Sequence, residues 1–279
     1  MKKRRLFLFF LLLGILVTTA RWWTDCAEEQ IHAAPMYEKK DILPILMKEK
    51  LTEEDYNTLF LQTGLARVGV DQLIEENRRR DILRLQDLFF EDVDSTCERY
   101  CVIVHTERLC EGTERANSKR AFLPAVRTGD VLVTFNGHVL GWRCGHAALV
   151  TDAKKGITLE AVAMGRKSEF WPIEEWATYP GFVQLRLKDT DEETLKQITT
   201  FAEEHLEKIP YRLPSLVQKD CSKEEVSGTH CAHLVWYAFA RYGYDLNSDG
   251  GHIVTPRDIF DSDLLEVVQV YGLPVEECR

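Results

Sequence analysis

The segment "SGTHCAHLVWYAFARYG", Ser227 to Gly243, places a cysteine at the start of a helix. Counting from Cys231, the less polar positions recur at Leu234, Val235, Ala238, Phe239 and Tyr242. This three-four spacing is that of one buried helical stripe, so Cys231 falls in the first turn and on the inner face. Unpaired backbone N–H groups and the positive end of the helix dipole favour thiolate over thiol there. Thr229 is the expected N-cap; with its oxygen on the Ala232 N–H, the Cys231 N–H is left to bind an oxyanion. The position suits a nucleophile. A cysteine used as a small core hydrophobe, or one bridged to Cys221, fits the same position.

A thiolate nucleophile needs an imidazole to hold the ion pair and later to protonate the leaving group. Of the eight histidines, His146 in "RCGHAALVTD" is best placed: on a strand it alternates with Cys144, Ala148 and Val150 and shares their face. The following strand, "ITLEAVAM", carries Glu160. A three-residue hairpin loop at Asp152 to Lys154 sets Glu160 directly opposite His146, where a carboxylate can orient the ring, whereas a one-residue slip turns it away. Cys144 is the rival nucleophile, but a strand offers no dipole to ionise it.

The elements that must bring these groups together read as follows. From Gly129 onward, "GDVLVTF", "CGHAALVTD", "ITLEAVAM" and "FVQLRLK" are short β-branched runs between turn-rich segments, in the manner of antiparallel strands. Next, "DEETLKQITTFAEEHLEKIP" is an amphipathic helix ended by Pro210, and the Cys231 helix follows it. Strands first and helices last make an α+β arrangement over residues 121–279. Residues 21–120 are expected to be mostly helical: "LTEEDYNTLFLQTG" has Thr52 and Asp55 at capping-box spacing and stops at Gly64, and "VDQLIEENRRRDILRLQDLFF" starts a helix at Asp71.

Taken in order, "GDVLVT…GHAALV", "LEA", "IPY" and "HCAHLVWYAFARYG…VTPRDI" resemble the circularly permuted papain-like hydrolases of the YiiX/YaeF group, relatives of the NlpC-type cell-wall peptidases. In the ordinary papain arrangement the cysteine helix precedes the histidine strand; in the permuted group it follows, as Cys231 follows His146. The match covers about residues 125–268. The resemblance implies a permuted papain-like antiparallel sheet with packed helices, Cys231 as nucleophile, His146 as general base and acid, and Glu160 in the slot of the polar third residue. It also implies that Tyr211, in "KIPYRLP", lines the nucleophile's pocket; a tyrosine packing the core fits equally. His230 and His233 depart from the group, which more often shows an aromatic and an acidic or polar residue there.

The first twenty residues, "MKKRRLFLFFLLLGILVTTA", put four basic residues before an apolar run from Leu6 to Val17, the layout of an export signal. An uncleaved anchor with Trp22 and Trp23 at the membrane interface is the alternative, which would bring the protein to a membrane. Removing residues 1–20 takes away four cations and no acids, so 31 Lys and Arg face 45 Asp and Glu, a net charge of −14. Such a body repels nucleic acid. In an oxidising compartment the eight cysteines predict disulfides, at most three if Cys231 stays free.

No metal is expected. His230 and His233 lack a second cluster to complete four ligands, "CERYCVIVHTERLC" misses zinc-knuckle spacing, and "DLNSDGGHIVTP" has Pro256 where a calcium loop needs a bidentate acid. Thiol hydrolysis needs no cofactor. The expected substrates are peptidoglycan stem peptides or other cell-envelope amides. A lipid-directed acyltransferase or amidase with the same dyad, and a non-catalytic envelope-binding module with a bridged Cys231, are the alternatives, and the oligomeric state is left open.

Overall fold

A computed structural model of the chain describes residues 2–26, 32–99, 104–110, 122–139, 142–213, 219–222 and 225–275. Helices come first: α1 (Lys2–Cys26), α2 (Leu43–Leu46), α3 (Glu53–Thr63), α4 (Arg67–Glu75) and α5 (Arg79–Phe89). Among the described residues no helix is long and apolar enough to cross a membrane. A capping box starts α3: the Asp55 N–H donates to the Thr52 hydroxyl, and the Asp55 carboxylate accepts the Thr52 N–H at 2.9 Å. Gly64, at φ 68°, ends it. A Cβ there would lie 2.0 Å from the Val270 carbonyl oxygen, so only glycine lets the chain turn so close to the sheet. The single helix expected from Asp71 is instead α4 and α5, separated where Asn77 takes a left-handed φ of 58°.

The remaining elements are β1 (Ser95–Arg99), β2 (Val104–Leu109), β3 (Val131–Thr134), β4 (Gly137–Val139), β5 (Trp142–Arg143), β6 (His146–Asp152), β7 (Ile157–Glu160), β8 (Glu169–Pro172), a 3-10 helix (Ile173–Thr178), β9 (Phe182–Leu187), α6 (Glu192–His205), α7 (Cys231–Ala240), α8 (Pro256–Phe260) and β10 (Leu265–Tyr271). The stretch to residue 120, expected to be mostly helical, also holds β1 and β2, because β-branched Val104 and Thr106 favour extended backbone and β2 pairs with β1 and β4. Two expectations are corrected. Helix α6 stops at its Leu206 C-cap, short of Pro210. The last element is a strand, since β10 returns to pair with β9.

The protein is α+β, with two antiparallel sheets ordered β1-β2-β4-β5 and β10-β9-β3-β6-β7-β8. The larger sheet separates two apolar layers. Val131, Val133, Ala147, Leu149 and Leu159 face α6 and α7, whereas Leu132, Ala148 and Val150 face Trp176 and Tyr179 of the 3-10 region. The amino-terminal helices close the β10 side: the Ala66 N–H donates to the Val268 carbonyl at 2.9 Å, and the Val270 N–H to the Gly64 carbonyl at 2.7 Å. Buried Arg186 on β9 ties the two parts further. It grips both Asp130 oxygens at 2.8 Å and donates to Gln72 of α4 at 3.0 Å.

Candidate active site

Cys231 is the first residue of α7 and is buried. The N-cap is His230, not Thr229: His230 is extended at φ −138° and ψ 175°, and no side chain caps the helix. The Thr229 hydroxyl is diverted, donating to the His230 carbonyl at 3.2 Å and meeting His233 Nδ1 at 3.0 Å. The first intrahelical bond runs from the Leu234 N–H to the His230 carbonyl at 2.9 Å, so the Cys231 N–H belongs to the turn without intrahelical partners. The Cys231 N–H is thus left outside the helical ladder without the expected cap.

His146 opens β6, abreast of Thr134 on β3. Gly145 before it has φ 70°, and a Cβ there would stand 2.4 Å from the Thr134 carbonyl oxygen, so glycine admits the strand at this spot. Being at the strand end, the imidazole meets Trp176 on one face of the sheet and the amino-terminal end of α7, which packs on the other.

Glu160 reaches His146 by a different register from the one expected. The hairpin loop has four residues, 153–156, and Leu149 pairs with Leu159. One step further, Glu160 stands abreast of Ala148 and diagonal to His146. The register shifts between Val150 and Asp152, and this bulge at Thr151 restores the parity that keeps Glu160 on the His146 face. Glu160 Oε2 lies 2.6 Å from His146 Nε2. Its Oε1 accepts from the Thr158 hydroxyl at 2.6 Å and from the Trp176 indole N–H at 2.8 Å. The Trp176 ring also stacks on the imidazole, with centroids 5.7 Å apart and planes at 17°. With Nε2 committed to the carboxylate, Nδ1 is the ring nitrogen left for the sulfur.

Both His146 and His230 act on the Cys231 sulfur. Burial opposes a thiolate here, but the hydrogen bonds from His146 and then His230, with their charges, overcome it and bring the Cys231 thiol down to about 5. Burial likewise opposes a charged His146, yet the bonds to Cys231 and Glu160 raise it to about 10. Glu160 is held below the usual carboxylate range despite its burial, chiefly by the His146 bond. Both shifts run toward an ion pair of thiolate and imidazolium.

Tyr211 lies beside this pair. Its backbone pairs with Thr229, and burial first, then the charges of Cys231 and Cys144, push its phenol up. Cys144 does not lie on the strand with His146: it precedes Gly145 outside β6, is exposed, and donates its thiol to the Gly137 carbonyl at 3.5 Å. Although the residue is exposed, its sulfur is crowded by protein. That desolvation, with the Cys231 charge, pushes the Cys144 thiol up to about 11, which leaves it protonated where Cys231 is ionised.

Trp176, Thr158 and the role of His230 escaped the reading of the sequence. A tryptophan beyond a β-turn-rich segment carries no spacing signal, and only the folded sheet brings it to Glu160. His230 did stand out as a departure, and its adjacency to Cys231 was the available clue. Cys110, Cys144, Cys221 and Cys231 carry free thiols, so the expected disulfides do not use them and Cys231 is not bridged to Cys221. Asp245 of the calcium-like loop accepts the Trp236 indole N–H at 2.6 Å, and Pro256 opens α8 behind a Thr255–Asp258 capping box.

No family model matches the sequence, and no curated protein matches it. Among solved structures, the crystal structure of the metalloprotein YiiX from Escherichia coli O157:H7 is similar at a TM-score of 0.39 and 16% identity, covering 53% of this chain and 98% of that one.

Proposed function

We propose that the protein is a thiol hydrolase of amide bonds, built on a permuted papain-like fold and using Cys231, His146 and Glu160. The observation that carries this reading is the continuous chain from a free thiol at a helix start, through one imidazole, to a carboxylate whose other oxygen is satisfied by neutral donors. The Cys231 thiolate attacks the carbonyl carbon and the oxygen's new charge is met by the Cys231 N–H. Collapse breaks the C–N bond, with the His146 proton passing to the leaving amine, and a water activated by His146 then hydrolyses the thioester. Tyr211, whose phenol feels the Cys231 charge, is the residue this reading places beside the nucleophile. The basic and apolar start of the chain, Lys2 to Val17, supports export or membrane attachment, and with it peptidoglycan stem peptides or other cell-envelope amides as substrates.

Iodoacetamide labelling of the native protein, followed by mass mapping, tests the thiolate. Rapid alkylation at Cys231 that stays flat with pH above about 5 is expected. Labelling that rises only near the ordinary thiol range would remove the ion pair and the proposal with it. Incubation with muropeptides and, separately, with acylated lipids assigns the acceptor: release of free amines from muropeptides, lost in Cys231→Ala, is the expected result.

A further inference from the structure

We propose that the cavity backed by Glu160 and Trp176 is a docking site for the terminal carboxylate of a peptide, anchored by Arg166 and the indole N–H of Trp171. The inference goes beyond the hydrolase reading, because the residues lining this cavity include neither Cys231 nor His146.

The cavity has a volume of about 570 Å³, of the size that holds small ligands, with β1 and β2 on one side and β7, β8 and the 3-10 helix on the other. On its wall, the Trp171 Nε1 is buried and has no hydrogen-bond partner among the described residues. A buried donor without a partner is costly, so an oxygen entering the cavity gains by accepting from it. The Arg166 guanidinium stands 5.1 Å over the centre of the same ring. It pairs with Glu169 at 2.7 Å, but the two side chains are 46% and 42% exposed. Such surface pairs contribute little, so the guanidinium can exchange that partner for a ligand at small cost. Stacking fixes the plane of its N–H edge, the geometry that takes a carboxylate through two bonds.

The other groups on the wall narrow the occupant. Arg108 stands 3.8 Å over the Tyr179 ring and donates to the Thr178 hydroxyl at 2.8 Å, a second stacked guanidinium on the same cavity. The protein's own cations thus already serve the two rings that would attract a ligand cation. The lining also carries Glu98, 3.7 Å from Arg108, and Glu175, both exposed, whereas Glu160 is committed to His146, Thr158 and Trp176. A bare dicarboxylate would be opposed by Glu98 and Glu175, but a peptide brings backbone N–H groups that can donate to them. Leu109 and Val162 supply apolar wall for its side chains. The combination fits the carboxylate end of a peptide, held behind the catalytic couple rather than on the sulfur.

The test titrates full-length Cys231→Ala protein, so that no thiol chemistry consumes the probe, with acetyl-trialanine and with its terminal amide. Binding is read by calorimetry and by the indole 15N–1H resonances of the six tryptophans, that of Trp171 being assigned by its loss in Trp171→Phe. The free acid should shift the Trp171 indole signal saturably, and the amide should bind roughly tenfold more weakly, since it lacks the charge-assisted bond. Arg166→Gln, a change at an exposed side chain, should weaken the acid by a similar factor and leave the amide unaffected. Glutarate, with carboxylates but no N–H donors, should bind more weakly than the peptide acid. Acid and amide binding alike, acid binding that leaves the Trp171 signal unmoved, or no binding at millimolar concentrations would each overturn the proposal. Glutarate binding more tightly than the peptide acid would overturn its assignment to peptides. Iodoacetamide labelling that removed the Cys231 thiolate would leave all these results standing, so the two readings fail separately.

Discussion

Among the described residues two buried histidine–glutamate couples occur, and one of them lies beside a buried cysteine. On the larger sheet, His146 faces Glu160 at 2.6 Å; on the smaller one, His138 of β4 faces Glu107 of β2 at 3.1 Å. The difference lies in what else each carboxylate and ring touches. Glu107 also binds the Arg143 guanidinium at 3.0 Å and the Asn136 amide at 2.6 Å, and these partners, His138 foremost, outweigh its burial and hold it down to about 2. Its charge is shared among His138, Asn136 and Arg143. His138 stacks on His105 at 4.5 Å, and its Nδ1 has no hydrogen-bond partner among the described residues. Glu160, by contrast, has only neutral donors besides His146 among the described residues, and its imidazole lies beside Cys231. A buried carboxylate and imidazole are therefore insufficient; neutral support for the acid and a nucleophile on the far nitrogen make the distinction.

Substitutions that swap the fates of the two couples give the largest effects. His146→Ala should lower kcat roughly 10²–10⁴-fold with the thermal transition little moved, while His138→Ala should lower the transition and leave turnover near wild type. Equal loss of activity in both would erase the comparison. Next comes Glu160→Gln, expected to cut kcat by roughly tenfold to hundredfold because it orients the ring without itself transferring a proton. Glu107→Gln should instead cost stability, roughly 1–3 kcal/mol by chemical denaturation, because it leaves buried donors less well matched.

Acid separates the couples by pH. Activity should rise through about pH 5, as Cys231 ionises, and fall through about pH 10, as His146 loses the proton it must deliver. Glu107 is depressed from 4.5 to about 2, so the folded state binds fewer protons than the unfolded one. Its stabilisation is full above pH 4.5 and drains away as the pH falls through about 2. Titration downward should therefore extinguish turnover near pH 5 while circular dichroism still reports a folded protein; simultaneous loss would contradict the assignment. The smallest effect is expected from Trp176→Phe, which keeps a ring on the imidazole but deletes the N–H to Glu160, a loss of about 1 kcal/mol and hence severalfold in kcat.

Much of the site was legible because local rules survive in it. The first-turn position of Cys231, the capping box at Thr52 and the alternation of Ala147 and Ala148 after His146 each depend on residues close in the chain, and the fold keeps them, although α7 is buried all round rather than along one stripe. What failed were boundaries and long-range partners. Thr229 has the right chemistry for a cap, but His233, four residues on, competes for its hydroxyl. The Asp71 helix broke where Asn77 could turn left-handed, and β10 was hidden because "LEVVQVY" gains its meaning only against β9.

The bulge at Thr151 sets a counting rule for the turn that follows it. Since each added residue rotates the rest of a strand by half a revolution, a single insertion or deletion between β6 and β7 would carry the carboxylate to the side occupied by α6 and α7. Paired changes would return it to its own side. Loop-length variants made in steps of one and two should thus alternate between dead and salvageable enzyme, a rhythm that measures backbone parity through turnover.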